Sequence, residues 1–201
     1  NFLKKNNIKS HMIDSELILS SISGQVREKF LVNSNFTLSQ KQVNSFNDLI
    51  FRRALGKEPI AYLLNKKEFW SIEFDINKDV LIPRPETEIL VDSLVKYFKN
   101  LNPFILDIGT GSGCIIISLL QELKNSKGIA IDISNKALKI AKKNSKINNT
   151  YNRIKFIKSS ISNIKNFKFD LIVSNPPYIA RHQLKNLEED IKNFEPKIAL
   201  D

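Results

Sequence analysis

The sequence predicts an α/β protein in three parts: a small N-terminal helical domain, a β-hairpin linker, and a parallel, doubly wound sheet. Three observations carry that reading. Apolar residues over residues 1–65 recur at helical spacing, as amphipathic helices require. Between 66 and 82 the rhythm becomes largely alternating, with Phe69, Ile72, Phe74 and Ile76 among polar neighbours, which is the period of a strand. From Phe104 onward the pattern runs β-α-β-α-β-β, and strands buried on both faces and separated by helices form a parallel sheet. The expected domains are 1–65, 66–82 and 83–201.

Each element has a local cause. Asp14 to Leu19 opens an apolar stripe, and Gly24 stands where a helix needs a residue tolerant of the left-handed region. The clearest helix starts at Ser39, which with Gln42 makes a capping box, and Val43, Phe46, Leu49, Ile50 and Ala54 follow on one face. Gly56 is expected to end it and Pro59 forbids continuation. Val80 to Ile82 is a further apolar run after the alternating stretch. Pro83-Arg84-Pro85 is stiff, and a helix resumes from Thr87 to Asn100 with Ile89, Leu90, Leu94, Val95 and Phe98 on its apolar face. Strands are expected at Phe104–Ile108, Gly128–Ile133, Ile154–Lys158 and Phe169–Ser174, with helices at Cys114–Leu123 and Lys136–Ile147.

Composition narrows the function classes. The 201 residues are 42% hydrophobic and 26% charged, the balance of a folded globular chain. No apolar run approaches the ~18 residues that a membrane-spanning helix needs. One cysteine excludes an internal disulfide framework and a cysteine-based zinc site. His11 and His182 are isolated, so no metal site is expected. These features fit a cytoplasmic enzyme. The net charge of +10 comes almost wholly from lysine. The lysines are scattered rather than clustered, which reads as a Lys, Asn and Ile bias more than as a nucleic-acid surface.

Three motifs can carry chemistry. The first is Asp107-Ile108-Gly109-Thr110-Gly111-Ser112-Gly113, between a strand and a helix. Its glycines permit a tight turn and close approach of a ligand at the C-terminal edge of the sheet. No Gly-Lys-Ser/Thr follows, so it is not a phosphate-cradling P-loop. Acidic Asp107 suits a cationic or zwitterionic ligand, such as a methionine moiety carrying a sulfonium and an ammonium. The second is Asp132, about 20 residues on at the next strand end, where a carboxylate accepts hydrogen bonds from ribose hydroxyls.

The third is Asn175-Pro176-Pro177-Tyr178, directly after the strand ending at Ser174. The prolines fix the backbone and remove N–H donors, so carbonyls can face outward. With the Asn175 amide oxygen they form an acceptor pair for an NH2 group, and Tyr178 offers a flat face to a planar target. Amide and aromatic amines are poor nucleophiles, because their lone pair is delocalised. Accepting both N–H hydrogens fixes the nitrogen opposite an electrophile and favours pyramidal geometry as attack begins. Cys114 is expected to pack in its helix.

Together these residues resemble class I S-adenosylmethionine-dependent amino methyltransferases. Glu58-Pro59-Ile60-Ala61-Tyr62, Glu68-Phe69-Trp70, Leu81 to Glu88 and Phe194-Glu195-Pro196 narrow the resemblance to the HemK-type protein-(glutamine-N5) methyltransferases, from about Asp14 to Asp201. That family has a Rossmann-like sheet and methylates the glutamine of the Gly-Gly-Gln motif in class-1 peptide chain release factors. By position, the resemblance implies S-adenosylmethionine as cofactor. Asp107 and Gly109, Thr110, Gly111, Ser112 and Gly113 would line its methionine part, Asp132 would bind its ribose, and Ser160 marks the adenine position. Asn175, Pro176, Pro177 and Tyr178 would hold the substrate glutamine, with Asn175, Pro176 and Tyr178 catalytic and Asn175 also beside the cofactor. The helical domain would dock the release factor, and Pro83 to Glu88 would help close the site.

Two departures from the family pattern stand out. The stretch after the third strand reads Ser159-Ser160-Ile161-Ser162, without the acidic or aromatic residue often found near the adenine. The family's catalytic domain also continues past Asp201 with further strands, so the sheet is expected to be C-terminally truncated here. The rival reading is an adenine-N6 DNA or RNA methyltransferase, which uses the same Asn-Pro-Pro-Tyr logic on an exocyclic amine. The +10 charge favours it. The helical front domain and the lack of a target-reading domain oppose it, so no membrane, metal or direct nucleic-acid partner is expected.

Overall fold

The computed structural model describes residues 1–32, 37–164, 167–177 and 189–200. The chain forms two compact units. One runs from Asn1 to Leu64 and takes in the short helix Glu189–Phe194; the other starts at Asn65 and takes in the described residues to 177 and those from Glu195 on.

The first unit is helical: α1 (Phe2–Lys5), α2 (His11–Ser23), α3 (Glu28–Val32), α4 (Gln40–Gly56) and α5 (Ile60–Leu64). Gly24 ends α2 in the left-handed region at φ 69°, and its N–H donates to the Ser20 carbonyl. The capping box opens α4 as the spacing predicts: Ser39 Oγ accepts from the Gln42 N–H at 3.4 Å, and Gln42 Oε1 accepts from the Ser39 N–H at 3.0 Å. The helix then runs through Gly56, and the left-handed stop falls on Lys57 at φ 54°. A lysine there bears a steric cost of roughly 1–2 kcal/mol; its ammonium is anchored on the Asn6 carbonyl. Leu3, Ile8, Ile18, Ile50 and Ala54 form the core of this unit. At its side, Arg53 Nε donates to the buried Asp14 carboxylate at 2.6 Å, joining α4 to α2.

The second unit opens with an antiparallel hairpin, β1 (Lys66–Phe69) and β2 (Ile72–Asp75). Trp70 and Ser71 turn it with φ of 54° and 53°, the double left-handed geometry that matches strand twist. The hairpin is shorter than the 66–82 expected. Ile76, Val80 and Ile82 are buried, but as irregular chain rather than as a paired strand. Trp70 is held at both ends: its N–H donates to Glu88 and its indole Nε1–H to Glu122, at 3.0 and 2.9 Å.

Helix α6 (Glu86–Phe98) follows the proline segment. It buries Thr87, Val91 and Phe98, with Leu90, Leu94 and Val95 packed alongside. Ile89, expected on this face, is 69% exposed: two positions from Val91, it lies about 200° around the helix from it.

Strands β3 (Phe104–Ile108), β4 (Lys127–Asp132), β5 (Ile154–Lys158) and β6 (Leu171–Ser174) form a parallel sheet in the order β5-β4-β3-β6. Helices α7 (Cys114–Glu122) and α8 (Asn135–Ile147) connect β3 to β4 and β4 to β5. The helical region, antiparallel hairpin and parallel sheet are the architecture the sequence predicts. Two details differ. β6 starts at Leu171, and Phe169 ahead of it stacks on Phe104 at 5.1 Å. The marginal strands are only half covered, with Ile172 of β6 59% exposed. The central strands carry the core, in which Ile105, Ile116, Ile117, Leu119, Leu120 and Ala130 are fully buried. Asn144 of α8 adds a polar tie. Its Oδ1 accepts from the Asp75 N–H at 2.8 Å, and its Nδ2 donates to the Asp75 and Ser112 carbonyls at 2.9 Å each.

Candidate functional site

A cavity of about 410 Å³ opens at the C-terminal edge of the sheet, where parallel α/β folds bind ligands. The glycine loop after β3, Asp132 at the end of β4, Ser159 and Ser160 after β5, and Asn175 after β6 all line it. One sheet edge thus brings together motifs dispersed over the second half of the sequence.

The loop is a run of left-handed turns, with φ of 68°, 56° and 83° at Gly109, Gly111 and Gly113. At Gly109 a Cβ would meet nothing within 4 Å, so backbone conformation alone requires glycine there. Gly113 differs. A Cβ would stand 2.8 Å from Ile117 Cδ1 and 3.3 Å from Ala141 Cβ, so this glycine lets the first turn of α7 approach α8. It does not line the cavity.

Neighbouring strands hold the loop. The Thr110 N–H donates to the Ile131 carbonyl at 3.0 Å. Asp132 Oδ2 accepts from the Gly111 N–H at 3.0 Å, and its Oδ1 accepts from the Ser134 N–H at 2.8 Å. Each carboxylate oxygen keeps a further lone pair for a ligand. Ser112 lines the cavity while its carbonyl is tied to Asn144.

Asp107 lies one layer below. It is 1% exposed and outside the cavity lining, and its Oδ2 accepts from Thr110 Oγ1 at 2.7 Å. Burial pushes its carboxyl up to about 7, against the pull of the Thr110 hydroxyl. Its observed contact is with the loop that lines the cavity rather than with the cavity. Cys114 does line the cavity, and burial pushes its thiol up to about 12, so it stays protonated at neutral pH.

At the far end, Asn175 Nδ2 donates to Thr87 Oγ1 at 3.3 Å. Pro176 and Pro177 line the cavity, and Tyr178 lies outside the described residues, as does His182. Arg84 Nη2 donates to both carboxylate oxygens of buried Glu195 at 2.8 Å, and Pro196, Ile198 and Ala199 beyond it complete the wall.

Sequence reasoning missed several of these residues. Ile133 and Ile161 line the cavity with 52% and 50% exposure, next to Asp132 and Ser160. Their signal was an apolar residue immediately after each strand-end polar one. Arg84 and Thr87 lie in the Pro83 to Glu88 segment expected to help close the site, but their pairing with Glu195 and Asn175 had no local signal. Among the described residues no group of His, Cys, Asp and Glu is arranged to hold a metal ion, and no helix is long and apolar enough to cross a membrane.

The parallel sheet, its glycine loop and the strand-end acid define a methyltransferase-type α/β domain. In agreement, the family model described as "Methyltransferase small domain" matches residues 85–192, and "PrmC N-terminal domain" matches residues 1–64. The release factor glutamine methyltransferase of Fusobacterium nucleatum is 38% identical over 202 residues, covering 99% of this chain and 57% of its own length. That of Buchnera aphidicola from Acyrthosiphon pisum is 41% identical over 197 residues, covering 98% of this chain and 70% of its own. The bifunctional methyltransferase of Rickettsia prowazekii is 42% identical over 208 residues, covering 94% and 40%. The chain belongs to the release factor glutamine methyltransferase family. It spans little more than half the length of the Fusobacterium relative.

Proposed function

We propose that this chain is the helical and cofactor-binding portion of a cytoplasmic enzyme that methylates a protein glutamine. The methyl group goes from S-adenosylmethionine to the side-chain N5 of the glutamine in the Gly-Gly-Gln motif of class-1 peptide chain release factors. The observation that carries this reading is the meeting of the glycine loop, Asp132 and Asn175 in one cavity. A domain division at 1–65, 66–82 and 83–201, with the helical part docking the release factor, belongs to the same proposal.

The residues present fit the cofactor. A cavity of about 410 Å³ falls in the range of small-molecule sites. Asp132 has lone pairs for ribose hydroxyls, and Ile133 and Ile161 offer apolar faces for an adenine beside Ser160. The loop from Gly109 to Ser112 would take the methionine part, with Asp107 and Gly113 supporting it from beneath and behind. When bound, S-adenosylmethionine supplies an electrophilic methyl group and departs as S-adenosylhomocysteine.

The chain's own groups act on the glutamine. Asn175 Oδ1 and the Pro176 carbonyl accept its two N–H hydrogens and hold the nitrogen towards the methyl donor. Pro177 keeps that backbone stiff, and Tyr178, outside the described residues, would offer its ring to the amide. No strong base is required, because the nitrogen becomes acidic once it is alkylated. The charge pattern supports a protein amide over a nucleic acid. Arg84 is the one basic residue among the described lining residues, and Glu195 engages it, so it is poorly placed to meet a phosphate.

The test is a methyl-transfer assay with S-adenosylmethionine and purified release factor, read by peptide mass spectrometry, with unmethylated DNA in parallel. A methyl increment on the Gly-Gly-Gln peptide is expected, and methylated adenine would overturn the reading. Asn175→Ala is expected to lower turnover by about two orders of magnitude or more while leaving cofactor affinity nearly intact. Equal loss of both would refute that division of labour.

A further inference from the structure

We propose that Thr87 is a positioning residue for Asn175, anchoring the Nδ2 end of its side-chain amide so that the oxygen end can meet the substrate. The catalytic consequence rests on the glutamine reading above; the contact itself does not.

The two ends of an asparagine amide have nearly the same shape but opposite hydrogen-bonding character. Left to itself, Asn175 could turn either end towards a substrate NH2, and only the oxygen end can accept from it. A partner held at Nδ2 anchors the amide and leaves Oδ1 free for the substrate. Thr87 Oγ1 accepts from Nδ2 at 3.3 Å, the arrangement in which Oδ1 faces the other side. Both residues line the cavity.

Thr87 is built to hold still. It is largely buried in the first turn of α6, and its N–H donates to the Arg84 carbonyl at 3.0 Å. Pro83 and Pro85 restrict the backbone on either side of Arg84. The Arg84 guanidinium is itself gripped by both oxygens of Glu195 at 2.8 Å. The hydroxyl therefore sits on a braced segment and does not follow Asn175 if that side chain swings. A misaligned acceptor loses the orientation on which an in-line attack depends.

Two measurements on Thr87→Val and Thr87→Ser test this. Val keeps the shape and removes the acceptor; Ser restores it. In the 15N-labelled chain, the Asn175 side-chain NH2 pair, assigned by its loss in Asn175→Ala, is expected to shift and exchange faster in Thr87→Val and to stay close to wild type in Thr87→Ser. In methyl transfer to release factor, Thr87→Val is expected to lower kcat roughly tenfold while the Kd for S-adenosylmethionine stays within about twofold. Thr87→Ser is expected to recover most of the rate. A Thr87→Val protein with wild-type kcat and an unchanged Asn175 signal would overturn the proposal. So would one that loses cofactor affinity and thermal stability together, since that marks Thr87 as structural only. If wild type transfers no methyl group to release factor, the glutamine reading fails, and the NH2 signals alone decide whether Thr87 holds Asn175.

Discussion

Asn144 is fully buried and serves three backbone groups: the Asp75 N–H, the Asp75 carbonyl and the Ser112 carbonyl. Asn144→Ala strips all three at once. Each backbone group left without a partner costs about 1 kcal/mol when water can partly reach it and more when it cannot. The sum is about 3 kcal/mol, a large share of the 5–15 kcal/mol that holds a typical domain together. For a chain of this size that corresponds to a fall of about 6–12 °C in thermal midpoint. Urea unfolding followed by circular dichroism reads it directly. Asn144→Asp sharpens the test, since it keeps the volume but turns an oxygen towards two carbonyls. It is expected to be at least as damaging at neutral pH, and less so in acid, where the carboxyl regains a proton to donate. Because the Ser112 carbonyl belongs to the glycine loop, both variants are also expected to weaken S-adenosylmethionine binding. A loss of under about 1 kcal/mol for both variants would refute the hydrogen-bond argument, which rests on their being unreplaced by water.

Three further outcomes follow from named contacts. Arg153 donates to the carbonyls of Leu120, Leu123, Lys124 and Ser126 at 2.7–3.3 Å, closing the C-terminal end of α7. Arg153→Ala is expected to cost about 2–3 kcal/mol, and Arg153→Lys to recover only a minor part of it, because an ammonium cannot fork to four acceptors. Calorimetric melting checks both. Asp107 is raised from an ordinary 3.8 to about 7 by burial. Between those values the folded chain holds a proton that the unfolded chain has released, so this contribution to stability is full in acid and lost as pH rises through about 7. Asp107→Asn is expected to flatten the fall in urea midpoint between about pH 4 and about pH 7, and equal slopes for the two proteins would contradict it. Gly113→Ala meets Ile117 at 2.8 Å in a backbone at φ 83°, and is expected to cost about 2 kcal/mol or more. A wild-type thermal midpoint would count against that.

The legible parts of the fold are those whose causes lie within one turn or one loop. The Ser39–Gln42 capping box and the Gly24 stop are local chemistry, and both are where the spacing puts them. The central strands stand out because an apolar run between two helices has few alternatives. Legibility fades where neighbours compete. Gly56 and Lys57 could each have ended α4, and the helix continued one residue further than glycine preference suggests. Depth was also hidden. Asp107 and Asp132 are both strand acids, yet one is sealed under the loop and the other faces the cavity; sequence does not say which side of a turn a carboxylate takes. Thr87 and Asn175 are 88 positions apart, too far for any spacing rule. Asn144 was more accessible to reasoning: it shares a helix face with Ala137 and Ala141, and a polar residue on an apolar face asks for a buried partner.

The ion pair between Arg84 and Glu195 spans 111 positions of sequence. Closing so long a loop is entropically expensive until the chain between its ends is already compact. The wall formed by Pro196, Ile198 and Ala199 is therefore expected to be secured after β3 to β6 have assembled and to be released before they come apart. Local opening on this side is expected to give the amides of Ile198 and Ala199 faster hydrogen exchange than those of Ile105 or Ile129. Under mild denaturant, ligand affinity would fade while the sheet remained intact, so the loss of the pocket and the loss of the fold would be two separate transitions.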